Sequence, residues 1–338
     1  EQGHDVIGLH MKLYHGDPVD SRPKSCCSLD EAMEARAVCH RLGIPFYVLD
    51  FQQEFESEVI DYFVEEYSLG RTPNPCIMCN RKIKSRYLLE KADELECGML
   101  ATGHYAHLQQ NPESGRVELW EAADKRKDQS YFLFGISQEE LARMRFPLAE
   151  WTKPRVRDAA TQLELESASK PDSQEICFVP KDYRNFLESR NAQLRRPGEF
   201  VDLQGQVLGA HQGLAFYTIG QRRGLGLSGG EPWYVVRLDR ESNQVVLGAE
   251  SDLYVPEVLV ERVNWVSMAP TTEPLRARGR LRYTHGGAWG WLHSQENGDL
   301  LWRPDAPERA VTPGQAAVFY DEQGRVLCGG WIAGAAAV

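Results

Sequence analysis

At 338 residues the chain is too long for one ordinary core and has apolar content enough for two or three. Its net charge of −11 disfavours indiscriminate nucleic-acid binding, and its eight cysteines are too few for a secreted disulfide scaffold. No run approaches the ~18 unbroken apolar residues of a membrane span, and no signal or transit peptide opens the sequence, so the expectation is thiols in a reducing cytosol.

Residues 5–14 read as a buried strand, and Ser28 with Glu31 forms a capping-box signature for a helix ending near Gly43. A short strand at 46–51 follows, then a helix with Phe55, Val59, Tyr62, Phe63 and Tyr67 at helical spacing and a stop at Gly70. After a proline-rich loop at 72–75 the pattern predicts a helix over 80–95 and a strand over 99–103. This alternation predicts an α/β fold, a doubly wound parallel sheet with ligands beyond the carboxyl ends of its strands. Residues 11–14, 50–51 and 103–104 should then share one rim. Helical segments resume at about 138–144, 154–165 and 181–189.

From about Arg195 the texture changes to short strands with glycine-rich turns, and a second break falls near Pro256. Alternating runs at 258–266, 278–283, 316–320 and 326–332 predict a small antiparallel β-barrel. The division expected is 1–190 for the α/β domain, 191–254 for a small β-rich central domain and 255–338 for the barrel. Basic residues bunch at 81–86, 125–127, 195–196, 222–223 and 276–282; each bunch alone reads as a solvated face, and five together point to local anion-binding patches.

The segment Gly70-Arg71-Thr72-Pro73-Asn74-Pro75-Cys76-Ile77-Met78-Cys79-Asn80 carries the most chemistry. Its prolines hold the approach extended and bring Cys79 to the mouth of a helix, followed by Arg81, Lys82 and Lys84; the dipole and these cations favour thiolate. Cys-x-x-Cys also occurs in zinc sites, iron–sulfur sites and redox pairs, but a structural zinc wants four ligands, and no second Cys-x-x-Cys is present. Cys177, between the polar loop 170–175 and an apolar turn, is core filler in isolation; facing Cys79, it could carry a persulfide for the other thiol to resolve. Ala101-Thr102-Gly103-His104-Tyr105 ends a strand with a glycine that admits a ligand closely and a histidine that in isolation reads as structural.

These runs, with Lys127-Asp128-Gln129-Ser130-Tyr131-Phe132-Leu133 and Tyr217-Thr218-Ile219-Gly220-Gln221-Arg222-Arg223-Gly224-Leu225-Gly226, resemble the tRNA-uridine 2-sulfurtransferase (2-thiouridylase) family, in order and over nearly the whole chain. The resemblance implies a PP-loop ATP-pyrophosphatase domain, a central domain and a tRNA-holding barrel, and thiolation at C2 of the wobble uridine of tRNA. It implies ATP and Mg²⁺, and as partners tRNA and a persulfide donor such as a cysteine desulfurase or a sulfur relay protein. Carried over by motif, Cys79 resembles the nucleophile and Cys177 the persulfide bearer, while Asn74, Pro75 and Cys76 match the loop that meets the target base. Met11 and Gly103 match adenosine-contacting positions, and His104, Lys127, Asp128, Gln129, Arg282, Tyr283 and Gln315 match tRNA-contacting positions.

The family's Ser-Gly-Gly-x-Asp-Ser phosphate loop is absent, and the expectation is a native chain that starts before Glu1. Cys76 stands where many relatives have aspartate, which opens an alternative in which Cys76, Cys79 and Cys177 ligate an iron–sulfur cluster. Two further alternatives are a non-catalytic RNA-binding protein and a different ATP-pyrophosphatase, such as an amidotransferase or an argininosuccinate-forming ligase. Neither of those two enzymes requires paired cysteines or a C-terminal barrel.

Overall fold

The computed structural model describes residues 3–14, 29–165, 168, 176–179, 182–227 and 232–335. The chain opens with β1 (Gly8–Lys12), the helix Leu29–Leu42 and β2 (Phe46–Asp50); β1 and β2 run parallel, with Met11 opposite Leu49. The helix stops as expected at Gly43, whose φ of +70° suits glycine. Ser28, the expected cap, lies outside the described residues.

A helical run over 52–68 buries Phe55, Val59, Ile60, Phe63 and Tyr67 and passes through a π-type turn at Glu56–Ile60. The next run covers 75–94, with a longer π-type stretch at Cys79–Tyr87. It begins five residues before the expected start at 80, because Asn74 and Pro75 build a helix entrance. The Asn74 side chain accepts the Cys76 N–H at 3.2 Å, and Pro75 occupies the first turn, where a missing N–H costs nothing. The extended reading of the proline segment therefore holds only through Asn74.

Beyond it come β3 (Leu100–Ala101), a hairpin of β4 (Ala106–Gln110) and β5 (Val117–Glu121) that the sequence pattern did not predict, and β6 (Met144–Arg145), parallel to β3. The two parallel pairs, reached through helices, bear out the α/β expectation. The helices expected near 138, 154 and 181 form as Gln138–Ala142, Lys153–Gln162 and Tyr183–Arg190.

The central region holds β7 (Gly198–Val201), β8 (Val207–His211), β9 (Tyr234–Asp239) and β10 (Gln244–Gly248) in the order β8-β7-β10-β9, with β7 and β10 parallel. A short β11 (Tyr254–Val255) leads to the barrel strands β12 (Val258–Trp265), β13 (Leu275–Arg280), β14 (Ala288–Ser294) and β15 (Leu300–Pro304). After β16 (Glu308–Arg309), which pairs with β11, β17 (Ala316–Tyr320) and β18 (Val326–Ala335) complete it. The six closing strands run β12-β15-β14-β13-β17-β18, so no edge is left unpaired, and Trp302, Phe319 and Ile332 fill the interior. β13 ends at Arg280, leaving Arg282 and Tyr283 in the following turn rather than in the strand expected to reach 283.

The barrel is fastened to the α/β part. Tyr131 donates to Ala316 O at 2.9 Å, Asn264 donates to Phe134 O and Ile136 O, and Leu119 N–H donates to Ser267 Oγ at 3.0 Å. One apolar cluster runs through both parts and the central sheet, from Phe55 and Ile83 to Phe200, Val318 and Trp331. Among the described residues no helix is long and apolar enough to cross a membrane.

Candidate functional site

The two cysteine segments meet the same helical run from different parts of the chain. The run bearing Cys79 packs on Glu56–Ile60, and Phe178, next to Cys177, sets its ring edge-on to Phe55 at 5.6 Å and to Phe63 at 5.3 Å. Tyr14, just beyond β1, completes the circuit with an edge contact to Phe178 at 6.5 Å. The carboxyl end of β1, where Met11 lies, and the Cys177 turn are therefore neighbours.

The two thiols differ in presentation. Cys177 is exposed in a turn, whereas Cys79 is 8% exposed and belongs to the main core. Cys79 is not at the helix mouth, because its own N–H already closes on Pro75 O. Cys76, exposed in the first turn, holds that place. Two of the three expected cations are engaged elsewhere: Arg81 lies over the Trp331 ring at 5.7 Å, and Lys82 pairs with Glu58 at 3.2 Å. No disulfide joins the described cysteines, and Cys26 and Cys27 lie outside the described residues. Among the described residues no three His, Cys, Asp or Glu side chains form a metal-ligating group.

The strand end Gly103-His104 is tied to the Cys79 helix by Asn80, which the sequence reading did not single out. Asn80 Nδ2 donates to Phe132 O at 3.3 Å, which turns its Oδ1 toward His104 Nε2 at 3.1 Å. That carbonyl oxygen only accepts, so Nε2 carries the proton, and Nδ1 accepts from Thr102 Oγ1 at 2.8 Å. Burial, helped by the charge of Lys84, pushes the His104 pKa down to about 3. His104 is thus a neutral, buried, fully bonded ring that fixes the strand end. Gly103 differs: a Cβ there would meet only Leu148 Cδ1 at 3.8 Å, so the fold itself leaves that side open.

Lys127–Gln129 and Arg282–Tyr283, far apart in sequence, converge. Gln129 exchanges two hydrogen bonds with the Tyr105 backbone, at 2.8 and 3.0 Å, and the Tyr283 ring lies 4.5 Å from that of Phe132. Arg280 joins the two groups, donating to Asp128 Oδ2 at 3.1 Å and to Tyr283 O at 2.5 Å. Asp128 is 3% exposed and also accepts from Ala122 N, Ser130 N and Ser130 Oγ; burial pushes its carboxyl pKa up against these bonds. Arg282 is exposed. Gln315 lies apart from this convergence, beside the cysteine loop, where its Nε2 donates to Thr72 O at 2.7 Å.

The basic run at 276–282 is less open than its sequence implies. Arg276 makes a bidentate pair with Asp305, and Arg278 meets Glu121 at 2.7 Å. Among the described residues Arg282 is the arginine of this run without an ion-pair partner.

Comparison with known proteins adds three matches along the chain. A family model described as the tRNA methyl transferase HUP domain matches residues 1–181, one described as the tRNA methyl transferase PRC-barrel domain matches 184–249, and one described as the aminomethyltransferase beta-barrel domain matches 255–332. The chain is 46% identical over 337 residues to the tRNA-specific 2-thiouridylase MnmA of Heliobacterium modesticaldum, covering 99% of this chain and 86% of that protein. It is 46% identical over 334 residues to the protein of that name from Chloroflexus aggregans, covering 98% and 92%. The corresponding protein of Geobacter metallireducens is also 46% identical, over 337 residues, covering 98% and 91%.

Proposed function

Because the chain belongs to the tRNA-specific 2-thiouridylase family, we propose that it replaces the C2 oxygen of the wobble uridine of tRNA with sulfur, using ATP, Cys177 and Cys79. The domain descriptions mention methyl transfer, but the relatives matched along nearly the whole chain are named for thiolation, and paired thiols suit sulfur transfer. The observation that carries the proposal is the shared seat of the two cysteine segments on the run 52–68, with the end of β1 beside the Cys177 turn through Tyr14 and Phe178.

Ring nitrogens donate into the uridine C2 carbonyl, and oxide is a poor leaving group. Attack of that oxygen on the α-phosphate of ATP expels pyrophosphate and makes the oxygen part of an AMP leaving group. The terminal sulfur of a Cys177 persulfide attacks C2, and AMP departs. The Cys79 thiolate then attacks Sγ of Cys177, forming a Cys79–Cys177 disulfide and leaving the thiocarbonyl on the base; an external dithiol reduces the disulfide. A persulfide donor protein, a cysteine desulfurase or a sulfur relay protein, reloads Cys177, whose exposure supports access. Magnesium enters as the counter-ion of ATP. Met11 and Gly103 border the adenosine, the open side of Gly103 being the observation that supports this. Asn74, Pro75 and Cys76 meet the extruded base, and Lys127, Gln129, Arg282 and Tyr283 meet the tRNA, with buried His104 and Asp128 shaping that surface from beneath.

The test is complementation in a bacterium lacking its own 2-thiouridylase, with nucleoside mass spectrometry of its tRNA. The wild-type reading frame should restore 2-thiouridine, and Cys79→Ser and Cys177→Ser should each abolish it. Failure of the wild type overturns the activity; normal 2-thiouridine in either variant overturns the cysteine assignment.

A further inference from the structure

The loop that leads to the cysteines is held to its own domain at Arg71, whose N–H donates to Glu66 O at 2.9 Å, and to the barrel at Thr72. Thr72 donates its N–H to Pro313 O at 2.9 Å and receives Gln315 Nε2 on its carbonyl at 2.7 Å, so both of its backbone polar groups are satisfied by the segment entering β17. That segment is itself fixed on β18: Gly314 N–H donates to Ile332 O at 2.9 Å, and Ile332 N–H donates to Gln315 O at 2.8 Å. Gly314 has φ +87°, and a Cβ there would lie 2.9 Å from Arg71 Cβ and 3.0 Å from Thr72 N, so the glycine is what lets the two segments touch. Arg71 reaches Glu261 of β12 at 3.6 Å, and the Thr72 hydroxyl reaches Thr218 of the central region at 3.3 Å.

From Thr72 the path to the thiols is short and stiff. Pro73 and Pro75 are buried with φ fixed by their rings; between them Asn74 caps the helix through the Cys76 N–H, and Cys79 follows one turn later. A shift of Thr72 is therefore transmitted to the helix entrance instead of being absorbed by the loop.

We infer that Gln315 is a positioning residue: through the Thr72 carbonyl, it makes the barrel set the placement of the Cys76–Cys79 segment. Its Oε1 remains available to RNA, so one side chain couples tRNA seated on the barrel to the nucleophile. This coupling rests on the thiolation proposed above, whereas the hold on the loop does not.

The experiment uses the full chain with Gln315→Ala and Gln315→Glu, the second keeping side-chain size while removing the donor. In the absence of RNA, iodoacetamide labelling of Cys79 is followed by peptide mass spectrometry, with thermal melts to confirm folding. Loss of one net hydrogen bond should raise the labelling rate of Cys79 about fivefold in both variants, since labelling samples the opened loop. Labelling unchanged from wild type in a folded variant overturns the role. In the thiolation assay the single-turnover rate should fall while tRNA affinity changes by less than about twofold. A loss confined to tRNA affinity, with labelling unchanged, would make Gln315 an RNA contact only. Raised labelling in a protein without thiolation activity would overturn the activity while leaving the hold on the loop intact.

Discussion

The segment carrying Cys79 and the turn carrying Cys177 are fixed in opposite ways. The first is restrained on every side: capped by Asn74, started by Pro75, tied to the strand end through Asn80 and His104, and clamped at Thr72 by the barrel. The second presents its thiol to solvent and is moored in the core by Phe178, among Tyr14, Phe55, Phe63 and Phe186, with buried Val179 beside it. On the proposed function, the difference fits a division of labour in which a loaded sulfur must be reachable by a donor, while a nucleophile that acts once per turnover gains from a fixed place.

The largest effect should come from removing that ring. Phe178→Ala deletes a ring that is 3% exposed and touches four aromatic neighbours, at an expected cost of about 3–5 kcal/mol in denaturant unfolding. Cys177 is already exposed, so its alkylation in the native state should barely change even as stability and thiolation fall. A cost below about 1 kcal/mol would show that the turn is moored by something other than this ring.

The restrained side should show itself in acid. An unfolded histidine takes up a proton near pH 6.5, while His104 stays neutral until about 3, so the unfolded state binds more protons throughout that interval. Stability should fall by about 1.4 kcal/mol for each unit of pH below 6.5 on account of this group. Asp128, whose pKa is raised by burial, acts in the opposite sense, favouring the folded state as pH falls. Subtracting the pH profile of His104→Gln from that of the wild type isolates the histidine; identical slopes would mean that His104 can be protonated in place.

Much of this was legible beforehand, and the exceptions share a cause. Gly43, Gly70 and the spacing from Phe55 to Tyr67 announce their elements because the signal is local. The α/β class came from the alternation of elements, while the two cysteine segments and the candidate site residues were drawn from motifs, which hold what local pattern does not. The β4–β5 hairpin went unseen because its fit is tertiary: Arg325 of the barrel reaches Glu118 at 2.6 Å, and Ser267 caps Leu119 N–H. The basic run 276–282 looked like an open patch because its acids, Glu121, Asp128 and Asp305, are remote in sequence. The early helix start is a different failure, since Asn74-Pro75 is a local entrance signal that was passed over for the extended reading of the prolines.

That entrance offers a smaller effect. Asn74→Ala should cost about 1 kcal/mol in stability, and Asn74→Asp, which keeps an acceptor for the Cys76 N–H, should recover it. Thiolation should stay low in both variants, because a carboxylate cannot donate to the base as an amide does. Full activity in Asn74→Asp would reduce Asn74 to a cap.

The smallest effect on the fold is expected at Gly103, and there the restrained side has an opening. A methyl group at this position meets Leu148 at ordinary contact distance, and the residue is not among those with positive φ, so Gly103→Ala should change unfolding stability by less than about 0.5 kcal/mol. The neighbouring His104 is locked by two hydrogen bonds, whereas Gly103 has space beside it that the proposed function fills with a ligand. If that is the adenosine of ATP, the same methyl group should weaken nucleotide binding about tenfold, or about 1.4 kcal/mol, in titration calorimetry with the full chain. An unshifted melt with undiminished ATP affinity would leave the glycine without a ligand to accommodate, and a lowered melt would mean that the strand end, like the cysteine helix beside it, is packed tightly enough to require it.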